Sequence, residues 1–283
     1  FAENNQEAAD LHIQAFRLAE EVSLPIMVCM DGFILTHAYE GVDIPTQEQV
    51  DAYLPPYEPR QVLDPHEPVS IGAMVGPEAF TEVRYLAHAK QMQALELIPQ
   101  LAAEFQQQFG RDSGGLVRTY CTDDAVTIVV ALGSVLGTIK DTVDDLRAAG
   151  HKIGVLGITS FRPFPTNAIR HATRNAHRVV VVEKCFAVGV GGIVSRDVRT
   201  AMRDRPQRLY GVVAGLGGRA ITKTSLQGLL LEAMDDQLGQ LTFLDLDWDA
   251  VNRELERERQ TRRSGPIAEN MLRDLGVVAA RVG

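Results

Sequence analysis

Val126-Thr-Ile-Val-Val-Ala-Leu132, followed at once by Gly133-Ser134, decides the fold. A β-branched, aliphatic run that stops at turn residues reads as a strand buried on both faces, as in parallel sheets. Ser134 stands where a helix N-cap belongs. Residues 135–149 then place Ile139, Val143 and Leu146 on one helical face before Gly150 stops them. The pattern repeats. Ile153–Ile158 is a second strand, followed by Phe161-Arg-Pro-Phe-Pro165 and a helix over 166–176. Arg178–Val182 is a third strand, Tyr210–Ala214 a fourth, and Ser225–Gln237 a further helix. Strands joined by single helices must be parallel with right-handed crossovers, so this region predicts a doubly wound α/β domain.

Upstream, residues 4–22 read as a helix, with Asn4 and Glu7 at capping-box spacing. Its apolar face is Ala8, Leu11, Ala15, Leu18, Ala19 and Val22. A strand is expected at Ile26–Met30, ending at Asp31-Gly32, with Thr36, His37 and Glu40 just beyond. The chain begins at Phe1 without a methionine, so this part reads as the tail of a domain whose front is missing. Seven prolines between residues 41 and 78 argue against a regular element and for an ordered, extended arm. Residues 81–109 predict a long helix striped by Leu86, Met92, Leu95, Ile98, Leu101, Phe105 and Phe109, kinked at Pro99. The tail from Trp248 is polar and helical, with a break at Ser264-Gly265-Pro266 and a last helix at about 267–275. The expected division is 1–44, 45–118, 119–247 and 248–283.

The 283 residues are 45% apolar and 23% charged, an ordinary soluble composition, and long enough for one or two domains. A net charge of −9 speaks against nucleic acid and anionic membranes as partners. No apolar run reaches transmembrane length. Cys29, Cys121 and Cys185 are far apart, so neither a zinc ribbon nor a ferredoxin-type cluster is encoded. Cys29 reads as an inert buried thiol. The histidines lack metal-ligand spacing, and the metal expectation is none.

Chemistry-bearing groups gather at strand ends, where open α/β sheets bind ligands or partners. Asp31 fits an Asx turn. His37 titrates in the useful range but has no nucleophile motif beside it. The loop with Gly189, Gly191 and Gly192 has three readings: a structural turn, a contact for another domain, or an anion site. Its spacing is not the dinucleotide fingerprint. Gly217, Gly218 and Arg219 form a second such loop, and Arg162 a second arginine at a strand end. Each arginine has an ion pair as its simplest use and anion recognition as the alternative. No complete catalytic set is visible.

Several stretches together resemble one family. Asn5-Gln-Glu-Ala-Ala-Asp-Leu11, Pro25-Ile-Met-Val28, Asp31-Gly-Phe33 and Thr36-His37 look like the end of the pyrimidine domain of 2-oxoacid:ferredoxin oxidoreductases. Phe161–Pro165, Val182-Glu-Lys184 with Gly191-Gly192, Gly215–Arg219 and Arg262–Asn270 resemble the transketolase C-terminal-like domain and tail of the same alpha subunit. The resemblance covers nearly the whole chain and is closest to the pyruvate-specific members. It implies oxidative decarboxylation of a 2-oxoacid with coenzyme A, giving acyl-CoA, CO2 and reduced ferredoxin. It also implies thiamine diphosphate and magnesium shared with a partner subunit, and iron–sulfur clusters on other subunits. The implied partners are beta-, gamma- and delta-type subunits and ferredoxin, in the cytoplasm.

The family's catalytic glutamate and substrate-contacting residues precede Phe1, so no catalytic residue is assigned and the chain alone is expected to be inactive. Asp31, Thr36, His37, Glu40, Arg162, Gly189, Gly191, Gly192, Gly217, Gly218 and Arg219 are expected to meet a partner or to support reacting groups from behind. The alternatives are a transketolase-like or 2-oxoacid dehydrogenase beta-type subunit, and a non-catalytic interaction subunit.

Overall fold

A computed structural model describes residues 1–68, 72, 74–260 and 267–277. The chain forms two units, Phe1–Thr242 and Phe243–Gly283.

The first unit opens with helix α1 (Asn5–Val22). Asn4 caps it, its side-chain oxygen accepting from Glu7 N–H at 2.8 Å, while the Glu7 carboxylate accepts from Glu3 N–H at 2.7 Å. The buried face overlaps the one the apolar pattern predicts but extends to polar residues. Ala8, Leu18 and Val22 are buried as expected, but Glu7, Asp10 and Gln14 join them, while Leu11, Ala15 and Ala19 are only half-buried.

The run Pro25–Met30 is extended but is not a strand, which corrects the expectation. A strand is defined by its ladder, and this run reaches another segment only lightly, through Ala2 N–H to the Cys29 carbonyl at 2.9 Å. Ile26, Met27 and Met30 stay exposed. Cys29 is half-buried rather than sealed in a core.

The proline-rich stretch also departs from expectation, because it contains helix α2 (Gln47–Tyr53). Thr46 and Gln49 form a full capping box just after Pro45, where proline's fixed φ does no harm. Tyr53 pins α2 to the body: it is 1% exposed and donates to the Leu101 carbonyl at 2.9 Å. Helix α3 (Phe80–Phe109) runs unbroken through Pro99 and ends at Gly110. Of its expected stripe, Leu101 and Phe105 are buried, but Leu86 and Met92 are exposed. The C-terminal half of α3 packs on α1 through Leu18, Val22, Ala94 and Leu101.

The sheet follows. In chain order its parts are β1 (Val117–Tyr120), β2 (Thr127–Ala131), α4 (Val135–Ala148), β3 (Ile153–Ile158), α5 (Thr166–Ala172) and β4 (Arg178–Glu183). Then come α6 (Ile193–Ala201), β5 (Arg208–Val213), α7 (Lys223–Met234) and β6 (Leu241–Phe243). The spatial order is β1-β3-β2-β4-β5-β6. β2 is parallel to β3 and β4, and β4 to β5, while β1 is an antiparallel edge that the strand–helix alternation does not reveal. Every residue of β2 and β3 is buried. α4 with α7 covers one face, and α5 with α6 covers the other over Ile128, Val130, Ile169, Val179, Val194 and Val198. This is the expected doubly wound, mainly parallel architecture.

In the second unit, α8 (Trp248–Gln260) and α9 (Ile267–Asp274) are tied by Arg257, which meets Glu254 at 3.0 Å and Asp274 at 2.5 Å. The break expected at Ser264-Gly265-Pro266 lies outside the described residues. Among the described residues no helix is long and apolar enough to cross a membrane.

Candidate functional site

The strand order fixes one special place. From β2 the chain crosses to β3 on one side, then returns past β2 to β4 on the other. The switch point is therefore the crevice beyond the C-terminal ends of β2 and β4, where open α/β sheets receive ligands. Here that crevice receives a side chain of the same polypeptide. The Asp31 carboxylate accepts from Ser134 N–H at 2.6 Å and lies 3.3 Å from Lys184 Nζ. Ser134 follows β2 and Lys184 follows β4, so one carboxylate bridges both strand ends. Gly133, at φ +77°, makes room: a Cβ there would meet Asp31 Oδ2 at 2.8 Å. Burial alone would raise the Asp31 pKa, but the Ser134 hydrogen bonds and Lys184 outweigh it and hold the carboxyl below its usual range.

Ser134 therefore sits at the cap position of α4 without capping it through its own hydroxyl. Asp31 supplies the anion at the helix start instead. This corrects both the local-cap reading of Ser134 and the Asx reading of Asp31.

The rest of the 31–40 loop is held internally. Thr36 Oγ1 accepts from Phe33 N–H at 2.9 Å and lies 2.9 Å from His37 Nδ1, and the His37 ring stacks on Phe33 at 4.6 Å. Glu40 accepts from Asn5 Nδ2 at 3.0 Å. Thr36, His37 and Glu40 face solvent.

The glycine loop after β4 contains its own anion. Glu183 is 3% exposed, and its carboxylate accepts from Ile193, Val194 and Ser195 N–H at 2.8, 2.7 and 3.0 Å. These are the free donors of the α6 N-terminus. Gly192 lies against that carboxylate: a Cβ would fall 1.9 Å from Glu183 Oε1. Gly189 and Gly191 shape a tight turn closed by paired Ala187–Gly191 backbone bonds at 2.9 Å. Of the three readings of this loop, the geometry speaks against the anion site, because the phosphate-like position is filled by Glu183. Sequence reasoning quoted Glu183 within the Val182–Lys184 motif but gave it no role; the available signal was a lone acid ending a run of four valines ahead of the Gly191-Gly192 helix start.

Arg162 pairs with Asp197 at 2.6 Å and lies over the Phe161 ring at 4.0 Å. Gly217, Gly218 and Arg219 form an exposed turn after β5. So Asp31 sits at the C-terminal ends of β2 and β4, and the 189–192 loop, packed on Glu183, follows β4.

A cavity of about 410 Å³ lies elsewhere in this unit. Its walls are α1, the extended 24–29 run, α3 and Phe161–Pro163, and they are mostly apolar. Gln14, Gln91, Thr159, Ser160 and Arg162 are its polar groups, and no carboxylate lines it. Thiamine chemistry needs an acid against the aminopyrimidine, so this cavity does not fit as the reacting centre. Among the described residues there is no cluster of His, Cys, Asp or Glu able to hold a metal.

A buried polar network joins α1 to the segment entering the sheet. Asp10, 0% exposed, takes Arg111 through Nε at 3.0 Å and Nη2 at 2.8 Å, and accepts from Ser113 Oγ at 2.7 Å. Glu7 meets Arg118 at 3.2 Å, and Gln14 donates to the Ser113 carbonyl at 3.0 Å.

Two family profiles match in succession. Residues 1–103 match the thiamine diphosphate-binding domain of pyruvate flavodoxin/ferredoxin oxidoreductase, and residues 125–226 match pyruvate:ferredoxin oxidoreductase core domain II. The pyruvate synthase subunit PorA of Methanothermobacter thermautotrophicus is 41% identical over 232 residues, covering 81% of this chain and 60% of that one. PorA of Methanosarcina barkeri is 42% identical over 255 residues, covering 87% and 63%. The ketoisovalerate oxidoreductase subunit VorA of Pyrococcus horikoshii is 34% identical over 232 residues, covering 81% and 59%. The chain thus spans about three fifths of the length of these relatives. A solved 2-oxoglutarate:ferredoxin oxidoreductase from Magnetococcus marinus covers 56% of this chain and 24% of that one at 14% identity and a TM-score of 0.40, too low to carry an argument. With both profiles in order and these relatives across most of its length, the chain belongs to the pyruvate:ferredoxin oxidoreductase family.

Proposed function

We propose that this chain is part of the alpha subunit of a 2-oxoacid:ferredoxin oxidoreductase whose substrate is pyruvate. The reaction joins a 2-oxoacid and coenzyme A, releases CO2, forms acyl-CoA and passes two electrons to ferredoxin. The observation that carries this reading is the succession of the two family profiles on one chain. Identities of 41–42% to pyruvate synthase subunits against 34% to a ketoisovalerate subunit favour pyruvate.

In this reading thiamine diphosphate with magnesium is shared with a beta-type subunit, and gamma- and delta-type subunits complete the complex. The iron–sulfur clusters belong to those other subunits. The contribution of these 283 residues is a frame: Asp31 fastens the thiamine-domain segment to the switch point of the sheet. Thr36, His37, Glu40, Arg162, Arg219 and the turns at Gly189, Gly191, Gly192, Gly217 and Gly218 are contact groups, not reacting ones. The divisions 1–44, 45–118, 119–247 and 248–283 are the working domains of this frame.

The test is pyruvate- and coenzyme A-dependent reduction of ferredoxin. The 283-residue chain with added thiamine diphosphate and magnesium is expected to release no CO2. The longer protein containing it, assembled with its partner subunits, is expected to reduce ferredoxin. Turnover by the chain alone would sink the frame reading; an assembled complex that ignores every 2-oxoacid would sink the activity.

A further inference from the structure

Charge is not spread evenly along this chain. Between Arg162 and Arg208 there are ten Lys and Arg residues against three Asp and Glu, a balance of +7. The whole chain carries −9, so the other 236 residues carry −16. Six of the ten, Arg170, Arg174, Arg196, Arg199, Arg203 and Arg205, lie on or just after α5 and α6, which share one face of the sheet while α4 with α7 takes the other. Along α6 and its exit turn, Arg196, Arg199 and Arg203 stand at three- and four-residue spacing and are all exposed. Residues at that spacing are neighbours on a helix surface, and like charges there disfavour the helix.

Among the described residues no carboxylate pairs with this stripe. Asp197, the acid within it, is committed to Arg162 at 2.6 Å. Arg196, Arg199, Arg203 and Arg205 have no carboxylate partner among the described residues. Arg170 spends its donors on the backbone carbonyls of Ala201 and Arg203, and Arg174 on that of His171. On the opposite face, α4 carries Asp141, Asp144 and Asp145.

We infer that the outer face of α5 and α6 is a docking surface for an acidic protein. Complementary potentials attract such a partner and fix its orientation. A second copy meeting through the same face is excluded by repulsion, since a twofold contact would press like charge on like. A copy meeting head to tail, basic face on acidic face, would make a heterologous contact that builds rings or filaments rather than a pair. A nucleic acid is disfavoured because an extended polyanion must also lie near the acidic remainder of the chain. The inference goes beyond the proposed activity and does not depend on which 2-oxoacid is used.

The test uses the full chain and fluorescently labelled poly-L-glutamate, read by anisotropy at about 50 mM salt, where exposed charges are weakly screened. Arg196→Glu, Arg199→Glu and Arg203→Glu are combined in one variant. Arg84→Glu, Lys90→Glu and Lys152→Glu form a control of equal net charge. A milder Arg196→Gln, Arg199→Gln and Arg203→Gln variant guards against misfolding, with thermal melting as the check. Wild type and control are expected to bind within about 3-fold of each other, while the Glu variant weakens by at least about 10-fold and the Gln variant by less. Equal binding by the Glu variant and its control overturns the inference. So does a DNA duplex of matched charge that binds wild type as tightly as the polypeptide.

Discussion

At the scale of single residues, three side chains carry more of the architecture than their sequence neighbourhoods announce. Asp31 is the first. Asp31→Asn keeps the shape and removes the charge facing Lys184 and Ser134 N–H. The loss expected at neutral pH is about 1–2 kcal/mol in urea unfolding, the scale of a hydrogen bond to a charged group. Because the folded pKa of Asp31 is depressed, its contribution is present above the unfolded carboxylate pKa of about 3.9 and is lost as pH falls through the folded value. The gap between wild type and variant should therefore close below about pH 4; a gap constant down to pH 2 would contradict the assignment. Tyr53 gives the opposite sign. Burial, opposed by Arg17 and aided by Glu104, pushes its pKa up to about 12. Its stabilisation is complete below pH 10 and is lost as pH rises toward 12, so Tyr53→Phe should flatten that alkaline limb while costing about 1 kcal/mol at neutral pH. Glu183 is the third. Glu183→Ala strands three N–H donors at the start of α6 and should cost about 2–4 kcal/mol; Glu183→Gln, which keeps one acceptor, should cost less.

At the scale of elements, helices and strands of the sheet are legible and their partners are not. Val126–Leu132 reads as a buried strand because a β-branched run has few other uses. β1 escapes the same reading: Val117–Tyr120 is short and half-buried, and it pairs antiparallel at an edge. The start of α6 depends on a contact eleven residues back along the chain, Glu183 to Val194. Gly192→Ala tests that close approach. Its methyl group would collide with the Glu183 carboxylate, so destabilisation of about 1–3 kcal/mol is expected by thermal melting. A cost no larger than that of Gly→Ala at the open Gly228 would show that the carboxylate can move aside. In α1, apolar spacing misses part of the buried face because Asp10 is buried by its pairing with Arg111, which no local pattern shows. Asp10→Ala should cost about 2–4 kcal/mol, since it leaves Arg111 half-buried with Asp43 as its remaining acid. Retention of full stability would mean the network contributes packing alone.

At the scale of the whole molecule, the sequence carries the family and the doubly wound sheet, each for a local reason. Buried strands need apolar runs, helix starts and stops need particular residues, and short motifs survive in order along the chain. Its glycine loops fall after β4 and β5, where Gly189, Gly191, Gly215, Gly217 and Gly218 take positive φ and Gly192 lies against Glu183. What it cannot carry is anything set by residues far apart. The candidate site is the clearest case: Asp31, Ser134 and Lys184 are separated by about a hundred and fifty positions and meet only because the strand order brings β2 beside β4. The run Ile26–Met30 shows the converse, a strand-forming sequence left exposed and unladdered because pairing requires a neighbour and not just a propensity. Composition gives one net charge of −9, but the separation of an arginine face from an acidic one appears only when crossover handedness sends α4 and α5 to opposite sides of the sheet. The sequence by itself thus determined the buried parallel strands, the main helices between them and the family they belong to, because those depend on neighbours in the chain. Only the tertiary structure decided which carboxylate caps which helix, which face is basic and which strand end is filled, because those depend on neighbours in space.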